Sequence, residues 1–398
     1  MKPRIELTSI LAIVTVLTSR AQGEDVRPSF RDISGACSTP AVLDAETNVW
    51  KDHTLYPTSY YRSKVEQAVE AIDDVQLREK AAMVADVGTF MWIKTTNDIT
   101  DLEKEAEAVP CDHILGIVLD SLPYKGSNAV RSLELDNGTL SIVIAEIIRS
   151  SSNTAFAVII EPRAFPGYFN DTDVGDDLAK SYRENVPYTL KVLNLPNVVT
   201  YIDVGNSNSM DWDRQRDVAA KEIVDIFETA GSPSQFRGFA TNVANHNAWD
   251  LLPGEFVPAD DSRYIRPQNE QQFVRILSDA LQKNGLPSRA THGIMDTSRN
   301  GVSGLRWSWD DWCNVDGAGL GPGSTSQTGD EGLDAFVWVA HPGESDGSSD
   351  PSGPGYNAFC GRDDALKPSP APGQWYQVYF EMLVQNADPP LSVMSKHS

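Results

Sequence analysis

The stretch TAFAVIIEPRAFPG, from Thr154 to Gly167, is an apolar run that ends in Glu161, Pro162 and Arg163. A buried parallel strand that hands over to a loop at a carboxylate and a guanidinium marks a place where chemistry is commonly sited. Six further runs end in the same way, at Trp92, Asp120, Asp203, Asn242 and Asp296, with Glu344 and Asp346 shortly after the last. One such carboxylate could cap a helix. Several on one rim are hard to explain by capping alone.

Carboxylates beside tryptophans suit a carbohydrate, whose apolar faces stack on indoles and whose hydroxyls bond to Asp and Asn. Trp92, Trp212, Trp249, Trp307, Trp309 and Trp312 could supply platforms, and each could equally be packing. The six histidines are scattered, with no His-x-His and no H-E-x-x-H, so neither a metal nor another cofactor is expected. No G-x-G-x-x-G follows a strand. GESDG, Gly343 to Gly347, matches the esterase nucleophile elbow, which needs a strand running into the turn and a helix leaving it. Here His341-Pro342 precede it and SSDPSGPG follows, which cannot be helical.

The elements that must position these residues alternate. Strands are expected over 88–93, 114–120, 155–161, 198–204, 238–243, 292–296 and 335–340. Most read as continuously apolar, as strands covered on both faces do. Amphipathic helices are expected over 177–193, 217–231 and 270–285, with Gly231 and Gly285 placed as C-caps. Seven strands alternating with helices predict an α/β fold, a closed or nearly closed TIM-like barrel whose site lies at the carboxyl ends. Residues 343–372 read as a long ordered loop.

The chain has 398 residues and a net charge of -23. That charge repels phosphate backbones and anionic membrane surfaces, so neither nucleic acid nor a membrane is an expected partner. A basic start, an apolar stretch from Leu7 to Leu17 and small residues near Ala21 lay out a secretory leader over 1–23. One domain is expected over 24–398, secreted, and a monomer. Four cysteines, Cys37, Cys111, Cys313 and Cys360, allow two bridges in three pairings. Asn137 and Asn170 sit in glycosylation sequons.

LNLPNVVTYIDVG, GSPSQFRGFATNVANHNAW, IMDTSRNG, DDWCNVDGAGLG, TGDEGLDAFVWVAHPGESDGSSD and WYQVYFEMLVQNADP resemble glycoside hydrolase family 6. That family holds fungal cellobiohydrolases and endoglucanases that cleave β-1,4-glucan with inversion. The resemblance spans roughly Phe90 to Pro390. It implies a distorted seven-stranded β/α barrel with long loops over a cleft or tunnel, and a Cys313–Cys360 bridge. It also implies cellulose or a cello-oligosaccharide as partner, with Trp92, Asp203, Trp212, Asn242, Trp312 and Glu344 binding it. The loop between the two cysteines is as long as in tunnel-forming members. No cellulose-binding module or linker, such as many members carry, is expected.

Inversion needs a protonated acid for the leaving oxygen and a second carboxylate, roughly 6.5–9.5 Å away, to activate water. Asp346 matches the family's candidate base. The acid ends the strand that corresponds to VIIEP, as Glu-Pro-Asp, and this chain has Arg163 there. A guanidinium, with a pKa above about 12, cannot donate. In the family an Arg-Asp-Cys follows the strand that ends here at Asp120, and its Asp supports the acid. This chain has SLPYKGSNAV, with Gly126 or a neighbour in that place, and lacks that cysteine and its partner. Asn206 and Ser209 stand for a glucose-binding histidine and tryptophan, and Ala340 for a lysine.

Asp136, Asp171 and Asp173 are possible substitutes for the acid, and Glu161 reads as structural. A cleft guanidinium would suit an anionic sugar, or a fixed pair with Asp203 or Asp346. Two readings follow: a glucan hydrolase with altered catalysis, and a silent glucan-binding protein on the same fold.

Overall fold

The computed structural model describes residues 35–94, 96–120, 137–170, 175–209, 212–256 and 267–391, without the side chains of 96, 137–139, 168–170, 175–178 and 212–214. The strands are β1 (Thr54–Leu55), β2 (Met91–Ile93), β3 (His113–Leu119), β4 (Ala155–Ile160), β5 (Val198–Asp203), β6 (Phe236–Thr241), β7 (His292–Asp296) and β8 (Leu333–Val337). The helices are α1 (Ser59–Glu70), α2 (Val75–Val84), α3 (Thr96–Ala106), α4 (Asn137–Ser150), α5 (Ala164–Asn170), α6 (Gly175–Val192), α7 (Trp212–Thr229), α8 (Glu270–Lys283) and α9 (Gln377–Gln385).

All strand pairings are parallel, and β3 to β8 follow one another in chain order. β1 and β2 share the free edge of β3 at two heights, opposite His113–Ile114 and Ile117–Leu119. The sheet therefore has seven staves, as the apolar runs predict, although it has eight strands. The remaining gap is narrowed where the Phe90 N–H donates to the Trp338 carbonyl at 3.1 Å. β1 is too short, at two residues, to leave a periodic signal.

The continuous apolar runs are explained by burial on both faces. Every residue of β4, β5, β6 and β8 is buried. Successive side chains alternate between two layers. Val158 and Ile160 pack outward with Leu140, Ile144 and Tyr182 of the helices. Ala157 and Ile159 point inward with Phe90, Tyr201 and Ile294. At Gly116 a Cβ would lie 2.7 Å from the Phe90 ring, so glycine there lets that ring fill the interior.

The helices follow their sequence signals closely. In α8, Phe273, Val274, Leu277 and Leu281 form the buried stripe, and the Asn269 side chain caps the first turn by accepting from the Gln272 N–H. Gly231 and Gly285 have φ of 85° and 105° with open space around them, so conformation rather than room selects glycine. Cys313–Cys360 is bridged, as the resemblance implies, and Cys37–Cys111 is the second pair. Among the described residues no helix is long and apolar enough to cross a membrane, and no group of His, Cys, Asp or Glu is placed to hold a metal.

Candidate active site

A cleft of about 840 Å³ opens at the carboxyl ends of the strands, lined among others by Trp92, Lys94, Arg163, Arg299, Glu344 and Asp346. Four residues from distant parts of the sequence reading, Trp92, Arg163, Glu344 and Asp346, thus meet on one surface. The Trp92 indole is half-buried, and its N–H donates to the Val339 carbonyl at 2.9 Å. That bond fixes one edge of the ring, which is among the cleft lining.

The chain past β4 turns sharply. Glu161 and Arg163 have φ of 52° and 67°, left-handed conformations that cost non-glycine residues about 1–3 kcal/mol each. The turn aims the Arg163 N–H at Asp203 Oδ2, 2.6 Å away at the end of β5. Glu161 is buried, as a structural role requires. The Arg163 side chain reaches the cleft, 59% exposed, and its Nη2 lies 3.5 Å from Asp120 Oδ2. The expected pair with Asp203 or Asp346 is not formed. Asp203 is occupied by backbone N–H groups, and Asp346 has its own arginine.

That arginine is Arg299, 2% exposed, whose Nη1 donates to both Asp346 oxygens at 2.8 and 2.7 Å. The Asn314 N–H donates to Asp346 Oδ2 at 2.9 Å, and the Asp346 N–H returns a bond to Asn314 Oδ1. Burial works against the Arg299 charge, but Asp346 outweighs it and keeps the group above its ordinary pKa. The Asp346 carboxylate is thereby oriented and ionically matched, and its side chain stays 14% open to the cleft.

Glu344 accepts from the Tyr60 hydroxyl at 2.8 Å and faces His341 Nδ1 at 3.3 Å. The other ring nitrogen of His341 lies 2.9 Å from the Phe90 carbonyl, which can only accept, so that nitrogen carries a proton. Burial raises the Glu344 carboxyl, but bonds from His341 and Tyr60 overcome it and hold the group below the usual carboxylate range. Lys94 stands over the Trp92 ring at 4.6 Å. Desolvation lowers its pKa; Asp120 opposes this and Arg163 adds to it.

Other expected residues fall elsewhere. Asn242 is fully buried and not on the cleft; it donates to the Asp296 carbonyl at 2.8 Å and accepts from the Asn247 N–H, bracing two strand ends. Trp312 is half-buried against Phe359 and is also absent from the cleft lining. The side chain of Trp212, and Asp136, Asp171 and Asp173 entirely, lie outside the described residues. Ser209 turns back on Asn206, bonding its N–H and carbonyl. Ala340 is buried, its N–H on Asp296.

The esterase alternative fails on geometry. Ser345 is 4% exposed, and its hydroxyl is spent on the carbonyls of Gly347 and Pro370 rather than on a histidine. Arg299, Lys94, Tyr60 and His341 are the site residues that sequence reasoning missed. Lys94 and Arg299 lie just past strand ends, where the logic applied to Arg163 could have found them. Tyr60 sits on α1, five residues past the end of β1, a strand too short to leave a signal in the sequence.

Burial raises the Asp203 carboxyl from 3.8 to about 7, against the N–H bonds from Arg163 and Gly205. Between about pH 4 and 7 the folded chain therefore holds a proton that the unfolded chain has released, and stability falls as pH rises through that window. Asn cannot titrate. The unfolding free energy of the wild-type chain minus that of Asp203→Asn should drop by on the order of 4 kcal/mol from pH 4 to 7 and stay flat outside. Denaturant unfolding at several pH values reads this; a constant difference would show Asp203 ionised throughout.

Comparison with known proteins bears on this arrangement. Residues 50–387 match the family described as Glycosyl hydrolases family 6. A 1,4-beta-D-glucan cellobiohydrolase, CEL6C of Podospora anserina, is 42% identical over 98% of this chain and 100% of its own length. Exoglucanase 3 of Agaricus bisporus is 34% identical over 86% of this chain and 80% of its own. The solved structure of cellobiohydrolase II, CEL6A of Humicola insolens, in complex with glucose and cellotetraose superposes with a TM-score of 0.77 at 33% identity, covering 86% of this chain and 100% of that one.

Proposed function

The chain belongs to glycosyl hydrolase family 6, and from that premise we propose that it is a secreted, inverting β-1,4-glucanase of the cellobiohydrolase type whose rate is held down by Arg163. Its substrates on this reading are cellulose and cello-oligosaccharides. Sugar rings stack on Trp92, and Asp346, held by Arg299 and the Asn314 N–H, takes the proton of the attacking water. The leaving oxygen must also be protonated. The residue at the end of β4 is a cleft guanidinium, which stays charged and acts only as a fixed cation. Secretion draws support from the leader-like start and from two bridges that suit an oxidising compartment.

The single observation that carries this reading is the guanidinium of Arg163 on the same cleft as the clamped carboxylate of Asp346. It also favours a second reading, a catalytically silent glucan-binding protein. Cellohexaose incubated with the purified chain and followed by NMR separates the two. We expect α-anomeric products at least about 10²-fold slower than from an acid-bearing member of the family. No product alongside tight binding would favour the silent reading, and ordinary rates would defeat both.

Arg163→Asp should recover less than tenfold of that loss. The new carboxyl would stand beside Asp120 and Asp203 with Ala340, Asn206 and Ser209 unchanged. Recovery to rates typical of the family would show those positions to be unimportant.

A further inference from the structure

The cleft departs from the charge of the rest of the molecule. The chain carries -23, whereas the residues lining the cleft include five Lys or Arg and five Asp or Glu. Most of those carboxylates are already engaged. Asp346 is held by Arg299, Glu344 by Tyr60 and His341, and Asp98 accepts the Lys94 backbone N–H at 2.8 Å.

Two of the cations stand on neighbouring ground. Lys94 follows β2 and Arg163 follows β4, the two strands that flank β3, whose end carries Asp120. Adjacent strands lie roughly 4.8 Å apart, so the three groups form a row across three strand ends. Arg163 meets Asp120 only at 3.5 Å and leaves most of its fork open. The Lys94 ammonium lies over the Trp92 ring; desolvation and Arg163 disfavour its protonated form, and Asp120, Glu344 and Asp98 favour it. Asp120 thus stands between the two cations, and the exposed guanidinium keeps most of its donors turned to the cleft beside the indole. A carboxylate bridging the two cations would relieve their repulsion, and a guanidinium fork matches it bidentately.

We propose that this row is a subsite for a carboxylated sugar: a β-1,4-linked oligosaccharide stacked on Trp92, with an aldonate end or a uronate residue bridging Lys94 and Arg163. The inference rests on the reading of the cleft as a glucan site and names the class of glucan that it prefers. Arg163 then has a positive role in place of the acid it displaces.

Isothermal titration at low salt tests it with three probes: neutral cellotetraose, a cello-oligosaccharide ending in an aldonate, and one oxidised to a carboxylate at C6. At least one acidic probe should bind about tenfold tighter than the neutral one. That preference should vanish in Arg163→Gln and in Lys94→Gln, and should fade as salt is raised. The probe preferred tells the aldonate from the uronate. Equal affinity for all three, or a preference that survives both substitutions, would overturn the subsite and leave the glucan reading standing. Failure of every probe to bind would remove both.

Discussion

Asp346→Ala should unfold with about 3–5 kcal/mol less free energy than the wild-type chain, and should lose the remaining hydrolysis of cellohexaose. The stability loss arises from Arg299. Its guanidinium is buried, and both Asp346 oxygens lie on its Nη1. Removing the carboxylate leaves a buried cation that still donates to the Ala244 carbonyl at 2.7 Å but has lost its bonded carboxylate, the situation in which broken ion pairs cost most. The double variant Arg299→Met, Asp346→Leu removes both charges and should regain much of the stability without regaining activity. Urea unfolding and a cellohexaose assay on the three proteins read these two effects apart. A loss under about 1 kcal/mol in the single variant would show the pair to be solvated and the clamp unimportant.

Loss of the Cys313–Cys360 bridge should be of similar size. It closes a loop with a sequence separation of 47 residues, for which chain entropy gives about 4 kcal/mol. The bridge also bears on the site. Cys313 adjoins Asn314, whose N–H holds Asp346. A Cβ at Gly347 would lie 2.8 Å from the Cys360 sulfur, so the sulfur packs directly on the segment that carries Asp346. Cys313→Ala with Cys360→Ala should therefore lower the urea midpoint and also kcat, with the Cys37–Cys111 bridge intact. An unchanged midpoint would mean that the rim is held by its hydrogen bonds alone.

The barrel was legible because strands buried on both faces write continuous apolar runs, and because α6, α7 and α8 carry stripes at helical spacing. β1 was not legible, since two residues make no period. The rim was half legible. Arg163, Glu344 and Asp346 could be placed because each stands within a few residues of a strand end and within a motif of the family. The Arg299–Asp346 clamp and the Tyr60–Glu344 bond could not, for they join positions 47 and 284 residues apart and no local pattern encodes such pairings. Asn242 and Trp312 stand apart from the rest of the rim. Both lie in family motifs, yet their side chains brace strand ends or pack on Phe359 rather than line the cleft. The partner of Arg163 is not legible in the sequence, because the left-handed turn that hands Asp203 to a backbone N–H leaves no local pattern.

On the proposed reading the cleft takes glucan, and protonation of the leaving group is the step most impaired by Arg163. A substrate whose leaving group departs without a proton isolates that step. Dinitrophenyl β-cellobioside and cellohexaose should be compared by kcat/KM, in this protein and in an acid-bearing member of the family. The ratio of the first substrate to the second should be higher here by about 10² or more. An equal ratio in the two proteins would mean that protonation is intact and that another group supplies the proton.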